Sequence, residues 1–362
     1  MTARPSIAAA IAAAIATAAA PSHALARSPS GQEVVAFHVP WDPASAPDLA
    51  AHKDRIDVFA PQWVALIAAD GTLRITPDPA AQAALKSAPG VAVMPVVSNA
   101  HDSIWDTASA STMLTSPAAR AKVIARLAAL AKTRGWAGYV FDFENLTPAG
   151  VAAYPGFVAQ ARKALDADGR KAWVTAFLSA DPTVLQPLSK ASDRLVLMAY
   201  DECWSTSTPG PVAGEDWLEQ LLPAKLAGLD ASKAMLAVGA YGYDWPIGKP
   251  AAVTGVAAAK ALAAAKGVAV AHDPASANAV YRYVDKGQKH TVWMTDAHTW
   301  SYELAAARAA GLKGLAIWRL GLEDPAIWST PAAEAPYGVG NPPAKLPRCF
   351  LLGSPWAKDA PQ

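Results

Sequence analysis

Short apolar runs recur eight times along this 362-residue chain, each separated from the next by stretches with helical character, and this recurrence constrains the fold more than any other feature. The runs are Val34 to Val39, Ile56 to Ala60, Val91 to Val97, Tyr139 to Phe143, Trp173 to Leu178, Leu195 to Tyr200, Met235 to Ala240 and Leu315 to Trp318. Their length and β-branched and aromatic content read as buried strands. Strands that alternate with helices define an α/β class. Eight of them predict a parallel TIM (β/α)8 barrel. The helix between the third and fourth runs is well punctuated: Ser116 stands at the N-cap, Pro117 at the first helical position, and Gly135 just past the end.

About 75 residues separate the seventh and eighth runs, too many for one crossover helix of ordinary length. The spacing predicts a small α+β insertion at about 247–297. Within it Ala257 to Ala265 reads as helix, while Ala279 to Val284 and Thr291 to Met294 read as a hairpin around Asp285-Lys-Gly-Gln. The expected organisation is a signal peptide over 1–26, one barrel domain over 27–330 and a Pro-rich tail over 331–362. The leader reading rests on a single positive charge at Arg4, an apolar run from Ile7 to Ala20 and a cleavage point after Ala26. That run falls short of the ~20 residues a membrane span needs, so export to the periplasm or medium is expected.

Loss of Arg4 with the leader leaves 30 basic residues against the 30 acidic ones. A balanced charge argues against a nucleic-acid partner. No Gly-rich phosphate loop is present, the seven histidines show no ligand spacing, and neither nucleotide, cofactor nor metal is expected. The two cysteines, Cys203 and Cys349, either pair to join the tail to the body or remain free.

Side chains alternate along a strand, so in Tyr139-Val-Phe-Asp-Phe-Glu144 one face carries Val140, Asp142 and Glu144. Strand C-termini open into the active site of such a barrel. Two acids at that end are either a catalytic pair, where burial and like charge raise one pKa, or partners of unseen basic groups. A second apolar strand ends in Tyr200 and Asp201, a phenol that serves either as a core hydrogen-bonder or as a substrate ligand. Tryptophans fall at or beyond strand ends: Trp41, Trp63, Trp204, Trp245 and Trp318, with Trp105 in the loop after the third strand. Flat aromatic faces around one rim suit sugar rings and point to a saccharide cleft.

On these motifs the chain resembles glycoside hydrolase family 18, the chitinase family, over roughly residues 33 to 330, with particular likeness to its bacterial branch of spore-peptidoglycan hydrolases and polysaccharide-processing fusions. The last Asp and the Glu of the family's Asp-x-x-Asp-x-Asp-x-Glu motif correspond to Asp142 and Glu144. Met-x-Tyr-Asp corresponds to Met198-Ala-Tyr200-Asp201, and the eighth-strand tryptophan to Trp318. The resemblance implies a glycosidase that uses the substrate's own acetamido oxygen as nucleophile. Glu144 would be the general acid, Asp142 the acetamido holder and Tyr200 a hydrogen-bond donor to it. Asp201 and Trp318 would line the sugar site, and the placing of the rim tryptophans adds Trp41, Trp204 and Trp245 as substrate-binding residues. The motif's two earlier aspartates fall on Ala137 and Val140, and a Ser-x-Gly-Gly segment is only loosely echoed by Val97-Ser-Asn-Ala100. The expected function is a monomeric exported hydrolase of β-linked N-acetylglucosamine glycans. The change at Val140 keeps a weakly catalytic glycan-binding barrel as the alternative, with action on sugars lacking an acetamido group as a third.

Overall fold

A computed structural model describes residues 32–338 and 348–352. The leader assigned to 1–26 lies outside the described residues, as does most of the tail. Among the described residues no helix is long and apolar enough to cross a membrane.

The main sheet closes through parallel pairs. Strand one (Glu33–His38) pairs with strand two (Val58–Pro61) on one side and strand eight (Gly314–Trp318) on the other. The ring continues from strand eight through strand seven (Ala234–Gly239), six (Arg194–Ala199), five (Lys171–Phe177) and four (Gly138–Asp142). The third apolar run is not one strand. It divides into Ala92–Val93, which pairs with strand two, and Val96–Ser98, which pairs with strand four. Pro95 lies between the halves and has no N–H to give to a ladder, and the ring closes across the break through the Ala137 N–H on the Val93 carbonyl at 2.8 Å and the Val140 N–H on the Pro95 carbonyl at 3.1 Å. The chain also makes an extra antiparallel pair, Val64–Leu66 with Leu73–Ile75, beside the second half.

Alternation along the strands separates two cores. Val35, Phe37, Val58, Met94, Val96, Val140, Trp173, Val196 and Met198 fill the interior, while Phe59, Tyr139, Phe141, Val174, Leu197 and Ile317 face the helices. Glycines start strands four and eight because the neighbouring backbone allows nothing larger. A Cβ on Gly138 would lie 2.0 Å from the Lys171 carbonyl oxygen, and one on Gly314 would lie 1.9 Å from that of Glu33. The helix Pro117–Arg134 carries the expected N-cap bond from Ala119 N to Ser116 Oγ and ends on Gly135 in the left-handed region.

Between strands seven and eight a five-stranded sheet stands beside the barrel mouth. It begins at Gly242, a few residues before the anticipated insertion. Its hairpin turns through Lys286 and Gly287, both at positive φ, the two-residue turn that suits strand twist. The helix Val256–Ala265 packs Ala259 and Ala263 on Tyr281, Val292 and Met294. The tail segment 348–352 docks against the loop after strand six: Cys349 is disulfide-bonded to Cys203, Arg348 pairs with buried Glu202 and Asp216, each at 2.7 Å, and Thr208 N donates to the Phe350 carbonyl at 2.8 Å.

Outside the barrel, helices Glu215–Leu226 and Ala297–Ala309 bring two buried acids together. Among the described residues neither carboxyl oxygen of Glu215 nor Oε1 of Glu303 has a partner. Burial raises the pKa of both, and for Glu215 the charge of Glu303 adds to it. An acid whose pKa is raised by folding penalises the native state at pH values above its unfolded pKa, and the penalty fades as pH falls toward that value. Glu303→Gln is therefore expected to raise Tm at pH 7 by about 2–4 °C, the shift that roughly 1 kcal/mol produces in a large domain. Calorimetric melts at pH 7 and pH 4 test this, with the gain shrinking at pH 4.

Candidate active site

Asp142 and Glu144 leave the C-terminal end of strand four on its inward face. Asp142 is 6 % exposed and accepts from the Thr175 hydroxyl of strand five at 2.5 Å. Glu144 stands two residues on, where the strand has ended, and its backbone is held by one side chain. Asn99, completely buried just after strand three, donates from Nδ2 to the Glu144 carbonyl oxygen at 3.0 Å and accepts from the Glu144 N–H through Oδ1 at 2.9 Å. Both backbone groups are thus satisfied where no ladder can do it. The next residue, Asn145, turns the chain away at a φ of 53°.

Strand six delivers Tyr200 and Asp201 to the same mouth. The Tyr200 ring lies parallel to Trp318 of strand eight, with centroids 6.5 Å apart and an interplanar angle of 14°. Trp318 in turn meets the edge of Phe37 at 5.6 Å. Asp201, at a φ of 57°, accepts from the hydroxyls of Tyr241 and Tyr243, the latter at 2.9 Å. A cavity of about 150 Å³ reaches Glu144 from the helix side of the sheet, walled by Tyr154, Val184 and Leu188 as well as Thr175 and Met198, and Asp142, Tyr200, Asp201 and Trp318 do not line it.

Electrostatics separate the two acids. Burial raises the pKa of Asp142, while the Thr175 hydrogen bond opposes that rise. Glu144 is raised further, by burial first and then by the negative charges of Asp142 and Asp201, with no donor to its carboxyl among the described residues offsetting them. The proton of the pair therefore resides on Glu144. Burial, reinforced by the charges of Asp142, Glu144 and Asp201, also holds the Tyr200 hydroxyl in its neutral, donating form. Two buried carboxyls, a neutral phenol and the near-parallel rings of Tyr200 and Trp318 thus share the mouth of the barrel.

The tryptophans expected at the rim divide. Trp41 is 67 % exposed in the loop after strand one. Trp204 is half-buried, with its indole N–H donated to Thr206. Trp245 does not belong to a cleft: it has no exposed surface, and its indole N–H is bonded to the Ser207 carbonyl at 3.0 Å. It begins the inserted sheet rather than ending a barrel strand, so its neighbours are Tyr243 and the disulfide. Trp63 is likewise core, bonded to Asp78. Asn99, Thr175, Tyr241 and Tyr243 were not expected from sequence. Thr175 sits on the inward face of a predicted strand and was legible by alternation; the other three act across contacts between distant loops. Away from this site, Asp48, His52 and Glu323 bring possible metal-ligand atoms within 4.8 Å of one another. They already bond internally, His52 to Asp48 at 2.9 Å and Glu323 to Trp328 Nε1 at 3.1 Å.

A family model described as glycosyl hydrolases family 18 matches residues 59–323, and the chain belongs to that family. The glycosylase YvbX of Bacillus subtilis is 28% identical over 247 residues, covering 64% of this chain and 72% of that protein. The cortical fragment-lytic enzyme of Bacillus subtilis is 22% identical over 260 residues, covering 65% of this chain and 58% of its own length, so the chain spans less than two thirds of that relative. Among solved structures, a chitinase from Chromobacterium violaceum superposes with a TM-score of 0.76 at 26% identity, over 83% of this chain and 97% of that one. The Bacillus cereus spore cortex-lytic enzyme SleL shares the fold with a TM-score of 0.75 at 23% identity, over 83% and 73%. The protein is a glycosidase of the chitinase-like kind with a TIM-like α/β fold, and its substrate is a glycan.

Asn99→Ala removes both bonds to the Glu144 backbone and leaves a buried N–H and C=O unpaired. It is expected to cost about 2–4 kcal/mol of stability, two unmet polar groups at ~1–2 each, and to lower turnover more than tenfold. Urea unfolding and glycan hydrolysis by the same preparation measure the two effects.

Proposed function

We propose that this protein is an exported hydrolase of β-linked N-acetylglucosamine-containing glycans, of the chitin, peptidoglycan or exopolysaccharide kind, acting with retention through the substrate's acetamido group. The observation that carries this reading is a pair of buried carboxyls two residues apart at the inward C-terminal end of strand four, Asp142 holding the Thr175 hydroxyl at 2.5 Å and Glu144 set beside the acidic groups of Asp142 and Asp201. The inward face of strand four and the stacked pair Tyr200 and Trp318 give the sugar a site above them.

In the first step Glu144 donates its proton to the glycosidic oxygen as the bond from that oxygen to the anomeric carbon breaks. The acetamido oxygen attacks the same carbon from the opposite face, closing a five-membered oxazolinium ring, so no protein nucleophile is needed. The ring nitrogen carries developing positive charge. Asp142, ionised, accepts the N–H and stabilises that charge in a site of low dielectric. Tyr200 donates to the acetamido oxygen, and Trp318 forms the floor under the ring. Glu144, now a carboxylate, takes a proton from water as that water opens the oxazolinium with net retention. Asp201, Trp41 and Trp204 extend the cleft, and Trp245 holds the insertion in place.

Glu144→Gln tests the assignment. The amide keeps size and polarity but has no proton to give, so hydrolysis of N-acetylglucosamine oligomers is expected to fall by at least about 10³-fold, within the range that a general acid contributes, while oligosaccharide binding by calorimetry persists. Wild-type turnover by Glu144→Gln would sink the mechanism. Binding without released reducing ends by the wild-type protein would instead select a glycan-binding barrel, a reading that Val140 motivates. The pH profile follows from the same groups: activity declines on the acid side as Asp142 protonates and on the alkaline side as Glu144 ionises. Both limbs are expected above the ordinary carboxylate range, because burial raises both groups.

A further inference from the structure

Val140 lies below Asp142 on the inward face and is completely buried among Phe37, Trp173 and Met198. It offers Asp142 neither a proton nor a donor. The adjacent strand does. Parallel register sets Trp173 against Val140, and two residues further along both strands Thr175 stands beside Asp142 on the same face. The Thr175 hydroxyl has one hydrogen and two acceptors in reach, Asp142 Oδ1 at 2.5 Å and the Phe141 carbonyl at 3.3 Å, and the short contact to the carboxylate takes it.

The rest of the surroundings give no substitute. On the opposite side Ser98 is level with Asp142, but its hydroxyl reaches toward Gln62 at 3.5 Å. Glu144, and Asp201 beyond it, bring negative charge, while the Tyr154 hydroxyl accepts from the Phe143 N–H and the Tyr200 hydroxyl lies in the same field. Among the described residues Thr175 is the one hydrogen-bond donor to Asp142, and it engages a single oxygen.

We infer that Thr175 is a positioning residue for the hydrolysis: its hydroxyl keeps Asp142 ionised through Oδ1 and leaves Oδ2 to accept the substrate's acetamido N–H, supplying from strand five the support that strand four lacks at Val140. The inference rests on the proposed function, and it links that function to a feature outside the recognisable motif. It also names the one contact that opposes the rise burial gives Asp142, which has no basic partner among the described residues.

Thr175→Val and Thr175→Ser decide the matter. Valine keeps the shape and removes the hydroxyl; serine keeps the hydroxyl. Thr175→Val is expected to lower kcat near pH 5 by up to about tenfold with KM little changed, and to move the acid limb upward by about one pH unit, a tenfold change in the ionisation equilibrium. Thr175→Ser is expected to retain the wild-type limb and most of kcat. A second readout needs no turnover: in protein labelled with ¹³C at aspartate carboxyls, the Asp142 signal, assigned through Asp142→Asn, titrates at higher pH in Thr175→Val and at the wild-type pH in Thr175→Ser. Equal impairment of both variants, or an Asp142 titration that ignores the hydroxyl, overturns the inference. If the wild type hydrolyses no glycan the functional proposal fails, and the carboxyl titration still judges Thr175. Thermal melts of both variants separate loss of the folded state from loss of the hydrogen bond.

Discussion

Closure of the parallel sheet is the constraint on which the remainder of the molecule depends. Every inward side chain in the ring must find room beside inward neighbours from several strands, and water does not reach them. Apolar residues therefore fill the interior up to the level of Val140, Trp173 and Met198. Polar groups appear only toward the ends of the ring: Glu33 and Arg194 pair at 3.6 Å where their strands begin, and the acids gather where the strands end. Asp142, Thr175, Tyr200 and Trp318 each lie one inward step beyond that packed layer, so the sheet that excludes water also determines which side chains can meet.

That boundary has an electrostatic consequence. Carboxyls held half in the core are penalised for being charged, and three of them share the mouth: Asp142, Glu144 and Asp201. No lysine or arginine neutralises them among the described ion pairs. Hydroxyl donors do the work instead: Thr175 for Asp142, Tyr241 and Tyr243 for Asp201. Among the described residues Glu144 receives no such bond at its carboxyl, and burial with its acidic neighbours raises it furthest. An Arg in the same place would hold all three acids ionised and leave no acid to donate.

The rim is built by parts remote in sequence. Tyr241 and Tyr243 come from the start of the insertion, and the loop that follows Asp201 is gripped by the tail through Arg348 and Cys349. Asn278 of the insertion bonds the Val212 and Ala213 N–H groups of that same loop at 3.0 and 3.2 Å. The insertion and the tail thus support one wall of the cleft, while Asn99 supports the other by holding the backbone of Glu144.

Much of this was legible in the chain. The eight apolar runs, the capped helix before strand four, the hairpin at Lys286 and Gly287, and the common face of Asp142 and Glu144 all follow from local periodicity and turn chemistry, which neighbouring residues settle among themselves. The tryptophans show where that reasoning ends. Trp41 and Trp245 look alike in sequence, each just past an apolar run, yet one is 67 % exposed and the other wholly buried, because the chain after strand seven folds back into a second sheet. The split of the third run likewise depended on two different neighbours claiming its halves. The sequence by itself determined which residues face inward, since alternation is a property of a single strand. Which of the two acids carries the proton, and that Thr175 rather than an acid at position 140 attends Asp142, only the tertiary structure decided, because burial and hydrogen bonding between strands arise only when the ring has closed.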